Sequence, residues 1–151
     1  MLLSLSDPTT EPRAELDQKL TSVDQRLADM DRMGIDVQAI STSPLQYYYG
    51  VDADIGRQSS RAINERLAEI CGKWPERFVG LGTVPLQDAS LAAAELTHCV
   101  KTLGLRGVEI NPSVNGMDLT DAKLGLEKFF AKAQELDVVI FLHPIGFTQG
   151  E

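Results

Sequence analysis

One histidine, His143, lies at the end of a predicted β-strand, where its side chain can reach the edge of a sheet. Residues 138–142 are apolar and rich in β-branched side chains, and His143 and Pro144 follow them directly. An uncharged run of this kind is typical of a strand buried on both faces of a parallel sheet. Pro144 cannot donate to a sheet ladder, so we expect the strand to end there. His143 is therefore predicted at the carboxyl edge of a parallel sheet, where α/β proteins bind ligands.

An imidazole at such an edge can bind a transition metal, most often zinc, or act as a general base. A catalytic zinc takes three protein ligands and leaves a fourth position open. The sequence contains no H-x-H, H-x-x-x-H or C-x-x-C pair, and Cys71 and Cys99 are far apart. A lone histidine at a strand end is about as often structural as functional, so His143 by itself leaves both interpretations open.

Three adjacent tyrosines form a second candidate feature. Tyr47, Tyr48 and Tyr49 follow a short predicted strand and lie in the loop from residue 45 to 52. At the carboxyl end of a strand they can line a pocket, or they can simply pack the loop against the protein. The sequence does not favour one interpretation over the other.

A single carboxylate is predicted inside the sheet. Glu109 lies between Val108 and Ile110, and because side chains alternate along a strand, it should point to the opposite face from both. In a closed barrel that face is the interior. The alternative is simple charge balance with Arg106.

The rest of the chain is predicted to alternate helix and strand around these residues. Helices are expected at 22–34, 54–73, 88–104 and from residue 120 or 121 to 136. Strands are expected at 36–41, 78–84, 107–111 and 138–143, and a proline follows each of them within a few residues. Strict alternation implies parallel strands joined by right-handed crossovers.

Two architectures fit that alternation, a flavodoxin-like open sheet and part of a (β/α)8 barrel. A complete barrel needs about 250 residues, whereas this chain has 151. An open sheet should bury its last strand under a closing helix, and none is predicted after residue 143. We therefore expect a partial α/β barrel over residues 22–151, preceded by an irregular arm over residues 1–21.

The amino-acid composition limits the kinds of molecule that the protein is expected to bind. The formal net charge is −8, and an acidic surface argues against nucleic acid or an anionic membrane as the main partner. No apolar run approaches the roughly 20 residues that a membrane span needs. The first residues lack the basic segment of a secretory signal, so a cytoplasmic location is expected.

Several blocks together resemble one family. Residues 26–41, RLADMDRMGIDVQAIS, resemble the R-x-x-x-M-D-x-x-G-V-x-x-Q-x-L-S segment of the amidohydrolase-related (amidohydrolase 2) family. Asn64 with residues 75–85, PERFVGLGTVP, is similar to a block of its aminocarboxymuconate-semialdehyde decarboxylase-like branch. Residues 103–108 and 142–144 complete a match over about residues 22–147.

The resemblance implies a (β/α)8 barrel of which this chain holds about strands two to five. It also implies a divalent metal, usually zinc, held by an H-x-H or E-x-H pair on the first strand, a histidine on the fifth and an aspartate on the eighth. His143 matches the fifth-strand histidine, whereas the other ligands and the catalytic histidine match no residue here. Tyr47, Tyr48 and Asn111, which lie at strand ends, are the expected substrate contacts.

The activity that the resemblance implies is non-oxidative decarboxylation of an unsaturated or aromatic carboxylic acid, a small-molecule substrate. Metal-dependent hydrolysis of a carboxylic ester, lactone or amide is the alternative, because one scaffold hosts both reactions. A non-catalytic half-barrel that associates with another chain is a third interpretation. The resemblance also implies a homodimer.

Overall fold

A computed structural model describes residues 11–144, with side chains from residue 16 onward. By its internal contacts the chain divides into two units, and the boundary in the sequence falls between Val37 and Gln38. No helix within the described range is long and apolar enough to cross a membrane.

The first unit contains two helices, α1 (Glu11–Thr21) and α2 (Val23–Met33). The Ser22 hydroxyl caps α2 by accepting a hydrogen bond from the Gln25 amide at 3.3 Å, as the capping pattern predicts. Gly34 ends α2 with a left-handed φ of 70°, a conformation that glycine adopts without a steric penalty. An irregular arm was predicted over residues 1–21. That prediction was wrong for residues 11–21, which form α1, and residues 1–10 lie outside the described range.

The second unit is a four-stranded parallel sheet covered by helices. Its α-helices and strands in chain order are β1 (Gln38–Ile40), α3 (Ala53–Lys73), β2 (Phe78–Gly82), α4 (Ala89–Lys101), β3 (Gly107–Ile110), β4 (Ser113–Val114), β5 (Met117–Asp118), α5 (Glu127–Leu136) and β6 (Val139–Leu142). The strand order in the sheet is β1-β2-β3-β6, all parallel, and β4 and β5 form a separate antiparallel hairpin. The expected partial barrel is confirmed in this parallel β/α arrangement.

The two faces of the sheet differ in chemistry. Val108 and Ile110 are fully buried in a core that includes Leu67 of α3, Leu96 of α4 and Phe129 of α5. Alternation places Glu109 on the opposite face, together with its register partner Phe141 on β6. The sheet therefore has one face under helices and one face that carries the polar candidates.

One helix start was predicted wrongly and one hairpin was not predicted. The last helix begins at Glu127 and not at Thr120 or Asp121, because the Asp121 carboxylate caps a short 3-10 turn (Ala122–Leu124) by accepting from the Lys123 amide at 2.9 Å. The hairpin over residues 113–118 was not predicted, since two-residue strands leave little periodicity in a sequence.

A buried polar network fixes the carboxyl end of β2. Asn64 of α3 accepts a hydrogen bond from the Thr83 amide at 2.8 Å and donates to the Thr83 carbonyl at 2.9 Å. It also donates to the carboxylate of Glu95 on α4, which is 1% exposed and forms an ion pair with Arg61 at 2.8 Å. One amide side chain thus satisfies the backbone where the strand ladder stops.

Candidate functional site

A buried carboxylate lies at the carboxyl edge of the sheet. Glu109 is 5% exposed, and the hydroxyl of Tyr47 donates to its Oε1 at 2.6 Å. The Ser41 hydroxyl, at the end of β1, donates to the other carboxylate oxygen. Among residues 11–144 Glu109 accepts from Ser41 and Tyr47 and forms no ion pair with Arg106, so charge balance with Arg106 does not account for its position. Its orientation into a closed barrel stays a prediction. Two neutral donors thus hold an acidic side chain at the site.

Burial and the nearby Glu109 carboxylate change the pKa values of Tyr47 and Tyr49. Tyr47 is 1% exposed, and burial, followed by its hydrogen bond to Glu109, raises the pKa of its phenol well above the usual value near 10. Burial likewise raises the pKa of Tyr49, and the nearby Glu109 charge adds to that effect. Both phenols therefore stay neutral at physiological pH, and Tyr47 acts as a hydrogen-bond donor to Glu109.

The structure shows that two of the three tyrosines pack the loop against the protein, whereas a role of the loop in lining a pocket stays a prediction. Tyr47 and Tyr49 pack into the core with their ring centroids 5.6 Å apart. Tyr48, between them, is 44% exposed and has a backbone φ of 53°. The loop is thus packed down by two tyrosines and presents the third at the surface.

Two further candidate residues, Asn111 and His143, follow directly after the adjacent strands β3 and β6. The amide of His143 donates to the Ile110 carbonyl at 2.9 Å, which extends the β3–β6 ladder and places Asn111 opposite His143. The Oδ1 of Asn111 and the Nδ1 of His143 are both buried and have no hydrogen-bond partner within the described range. Buried polar atoms normally have partners, so two unpartnered atoms at the ends of neighbouring strands indicate a place for a ligand.

One described residue, His143, has the chemistry of a metal ligand. The buried, unpartnered Nδ1 of His143 is a nitrogen donor of the kind that divalent transition metals bind. No group of three His, Cys, Asp or Glu side chains in the described part of the chain could hold a metal ion. His143 therefore fits the role of one ligand, and the residues described here do not complete the coordination shell.

The structure brings together most of the predicted site residues and adds others. Tyr47, Asn111 and His143 all lie at the carboxyl edge of the sheet, and their roles as substrate or metal contacts stay predictions. Ser41 and Thr83 were missed: Thr83 is fully buried with an unpartnered hydroxyl, and one step of register places it beside Glu109. Their position at the carboxyl ends of the predicted strands 36–41 and 78–84 was the signal that could have found them.

Comparison with known proteins identifies the family. Residues 10–150 match the sequence profile of the family described as Amidohydrolase. This chain belongs to the amidohydrolase family. The four parallel strands and the helices between them are the part of that family's barrel that the described residues contain.

The similar curated proteins are mostly decarboxylases. The chain is 31% identical over 130 residues to 2-amino-3-carboxymuconate-6-semialdehyde decarboxylase of Dictyostelium discoideum, covering 86% of this chain and 36% of that protein. It is 34% identical over 135 residues to gamma-resorcylate decarboxylase of a Rhizobium species, covering 86% of this chain and 41% of the relative. The chain thus spans about two fifths of the length of the relatives it matches.

Solved structures of decarboxylases share the fold. Dihydroxybenzoic acid decarboxylase from Polaromonas, with bound manganese and 2-nitroresorcinol, matches with a TM-score of 0.82 and 32% identity over 91% of this chain and 43% of that one. The 5-carboxyvanillate decarboxylase of Novosphingobium aromaticivorans, complexed with manganese, matches with a TM-score of 0.82 and 30% identity over 91% of this chain and 39% of that one. Related structures therefore hold a divalent metal, and the metal in both is manganese.

Proposed function

We propose that the protein to which this chain contributes is a metal-dependent, non-oxidative decarboxylase of an unsaturated or aromatic carboxylic acid. The observation that carries the proposal is the pair of buried, unpartnered atoms on Asn111 and His143 at the carboxyl edge of the sheet. That sheet aligns with those of manganese-containing decarboxylases. The names of the relatives favour decarboxylation over the hydrolysis that the scaffold also permits.

The reaction class sets what the residues must do. Loss of carbon dioxide breaks the bond between the carboxyl carbon and its neighbour, whose electron pair is then captured by a proton. A divalent ion, when bound, supplies positive charge close to the substrate. Glu109 repels a substrate carboxylate, so the acid group should lie toward His143 and away from Glu109. The Glu109 carboxylate, already oriented by Ser41 and Tyr47, then faces the part of the substrate that carries donor groups.

We propose that the protein binds a divalent metal ion, which is either zinc or manganese. Zinc is what the sequence resemblance implies, and manganese is what the related structures contain. Elemental analysis of the protein isolated without added metal separates the two. A small carboxylic acid substrate and a cytoplasmic location stay predictions.

The test uses the intact protein that contains residues 11–144, loaded with Mn²⁺ or Zn²⁺ in separate samples. With 2,6-dihydroxybenzoate as the probe, we expect metal-dependent loss of the acid and release of carbon dioxide. His143→Ala should abolish turnover, whereas His98→Gln, at the other histidine of the chain, should keep it. Equal turnover after metal removal, or in His143→Ala, would overturn the proposal. Cleavage of a carboxylic ester with no release of carbon dioxide would assign the hydrolase alternative.

A second candidate function is association without catalysis, and the β6 edge favours it. Val139, Phe141 and Leu142 are 56%, 49% and 52% exposed within the described part of the chain. An outer strand with exposed apolar side chains is a surface that pairs with another chain. Sedimentation velocity of the 151-residue chain, with and without Phe141→Lys, tests it: a self-associating chain should become monomeric in the variant.

A further inference from the structure

Tyr48 has a backbone conformation that its side chain disfavours. Its φ of 53° lies in the left-handed region, which is a genuine outlier for a bulky residue. The ring is 44% exposed and forms none of the aromatic pairs found among the described residues. Pairing with another aromatic ring therefore does not explain why the chain accepts this conformation.

Contacts on one side hold the Tyr48 backbone directly. The side-chain amide of Gln87, in the loop after β2, donates to the Tyr48 carbonyl at 3.2 Å and to the Val51 carbonyl at 3.3 Å. One side chain thus clamps the loop on both sides of its turn.

The neighbouring tyrosines anchor the loop at two further points. Tyr47 is tied to Glu109 through its hydroxyl. The carbonyl of Tyr49 accepts a hydrogen bond at 2.9 Å from the side-chain amide of Asn115, in the hairpin after β3. Because the residues before and after Tyr48 are both fixed, the ring of Tyr48 is directed outward and its strained backbone cannot relax.

These anchors all lie at the carboxyl edge of the sheet. The tyrosine loop follows β1, Gln87 follows β2 and Asn115 follows β3, the strand that contains Glu109. Backbone strain that the surrounding structure over-determines is concentrated at ligand sites. An exposed aromatic ring, pre-positioned by three sets of contacts, offers a flat surface to a flat ligand at little entropic cost.

We propose that Tyr48 is a specificity-determining residue, whose ring contacts the planar, conjugated part of the carboxylic acid substrate. This inference rests on the proposed function. The Tyr47–Glu109 and Asn115–Tyr49 hydrogen bonds hold the loop that carries Tyr48. Tyr48 itself selects planar acids over non-planar acids of similar size.

Binding is measured by calorimetry on the intact, Mn²⁺-loaded protein with two probes, 2,6-dihydroxybenzoate and cyclohexanecarboxylate. Tyr48→Asn should weaken binding of the planar acid by about threefold to tenfold, the range expected for loss of one aromatic contact. Binding of the non-planar acid should change by less than about twofold. Tyr48→Phe, which keeps the ring, should bind both acids as the wild type does.

Thermal unfolding of the same variants separates a binding role from a packing role. Asparagine tolerates the left-handed conformation better than tyrosine does. We therefore expect Tyr48→Asn to keep its Tm or to raise it by up to about 4 °C. A Tm several degrees lower would mean that the ring packs for stability, and it would overturn the proposal.

The outcomes also separate this inference from the proposed function. If the wild type binds the planar acid and Tyr48→Asn binds it equally well, the role of Tyr48 is wrong and the decarboxylase proposal stands. If the wild type binds neither acid but releases carbon dioxide from non-planar carboxylic acids alone, the role of Tyr48 toward planar acids is likewise wrong. If it neither binds nor turns over any acid, both proposals fall.

Discussion

The hydroxyl of Tyr47 donates to the carboxylate of Glu109 at 2.6 Å, joining two residues 62 positions apart in the sequence. Both side chains are almost completely buried. The bond connects the loop after β1 to the central strand β3, and the Ser41 hydroxyl supports the same carboxylate from the end of β1. A charged acceptor strengthens such bonds to about twice the value of neutral ones.

Removing the Tyr47 hydroxyl should therefore be costly. Tyr47→Phe leaves the buried Glu109 carboxylate one donor short, and we expect the free energy of unfolding to fall by about 1.5–3 kcal/mol. Urea unfolding monitored by circular dichroism measures the change. Tyr48→Phe, which removes a hydroxyl from a half-exposed residue in the same loop, is the matched control and should stay within about 0.5 kcal/mol of the wild type. A loss of equal size in the control would show that the Glu109 contact is not the cause.

The same tyrosines predict an alkaline limit to stability. Burial raises the pKa of Tyr47 and Tyr49 in the folded chain above the ordinary value of 10.0. Below pH 10 both phenols are protonated whether the chain is folded or unfolded, so neither makes stability depend on pH. Above pH 10 the unfolded chain loses these protons first, and stability should fall by about 1.4 kcal/mol per pH unit for each tyrosine.

Chemical unfolding at a series of pH values from 8 to 12 measures that slope. The double variant Tyr47→Phe/Tyr49→Phe should show a shallower decline above pH 10, although it starts from a lower stability. An unchanged slope in the double variant would mean that other groups set the alkaline limit.

The ion pair between Arg61 and Glu95 offers a test inside the helical layer. Glu95 is 1% exposed, so Arg61→Met leaves a buried carboxylate with Asn64 as its remaining partner. We expect a loss of about 2–3 kcal/mol, below the value for a fully buried pair because the Arg61 side chain is 36% exposed. Arg66→Met, five residues along the same helix, breaks an exposed pair with Glu69 and should cost less than about 0.5 kcal/mol. Similar losses in the two variants would contradict the difference in burial.

Much of the fold could be predicted from the sequence because its signals are local. Four strands, the cap at Ser22 and the turn at Gly34 follow from apolar runs, capping chemistry and glycine conformation. The start of α5 and the β4–β5 hairpin were not predicted. There, the capping side chain of Asp121 serves a 3-10 turn as readily as a helix, and short strands leave no period.

The site was predictable only in part, for a different reason. A strand that ends in His143-Pro144 identifies the carboxyl edge, and alternation gives the direction of Glu109. The contacts of Glu109 with Ser41 and Tyr47 span 68 and 62 residues, and no sequence period encodes pairings at that distance. The left-handed conformation of Tyr48 is likewise imposed by tertiary contacts with Gln87, against the preference of its own side chain.

The last prediction concerns what the 151-residue chain does by itself. Within the described range His143 is the one ligand that the family resemblance implies, and no three candidate ligands lie together. We therefore expect the purified chain to hold well under one divalent ion per molecule and to show no more than trace decarboxylation. Elemental analysis beside His143→Ala, with His98→Gln as the matched control, measures the metal. A content near one ion per chain or per dimer, lost in His143→Ala but kept in His98→Gln, would contradict this expectation. It would mean that His143 binds metal with ligands outside residues 11–144 or from a second copy, and the chain itself would then hold the metal that the proposed reaction needs.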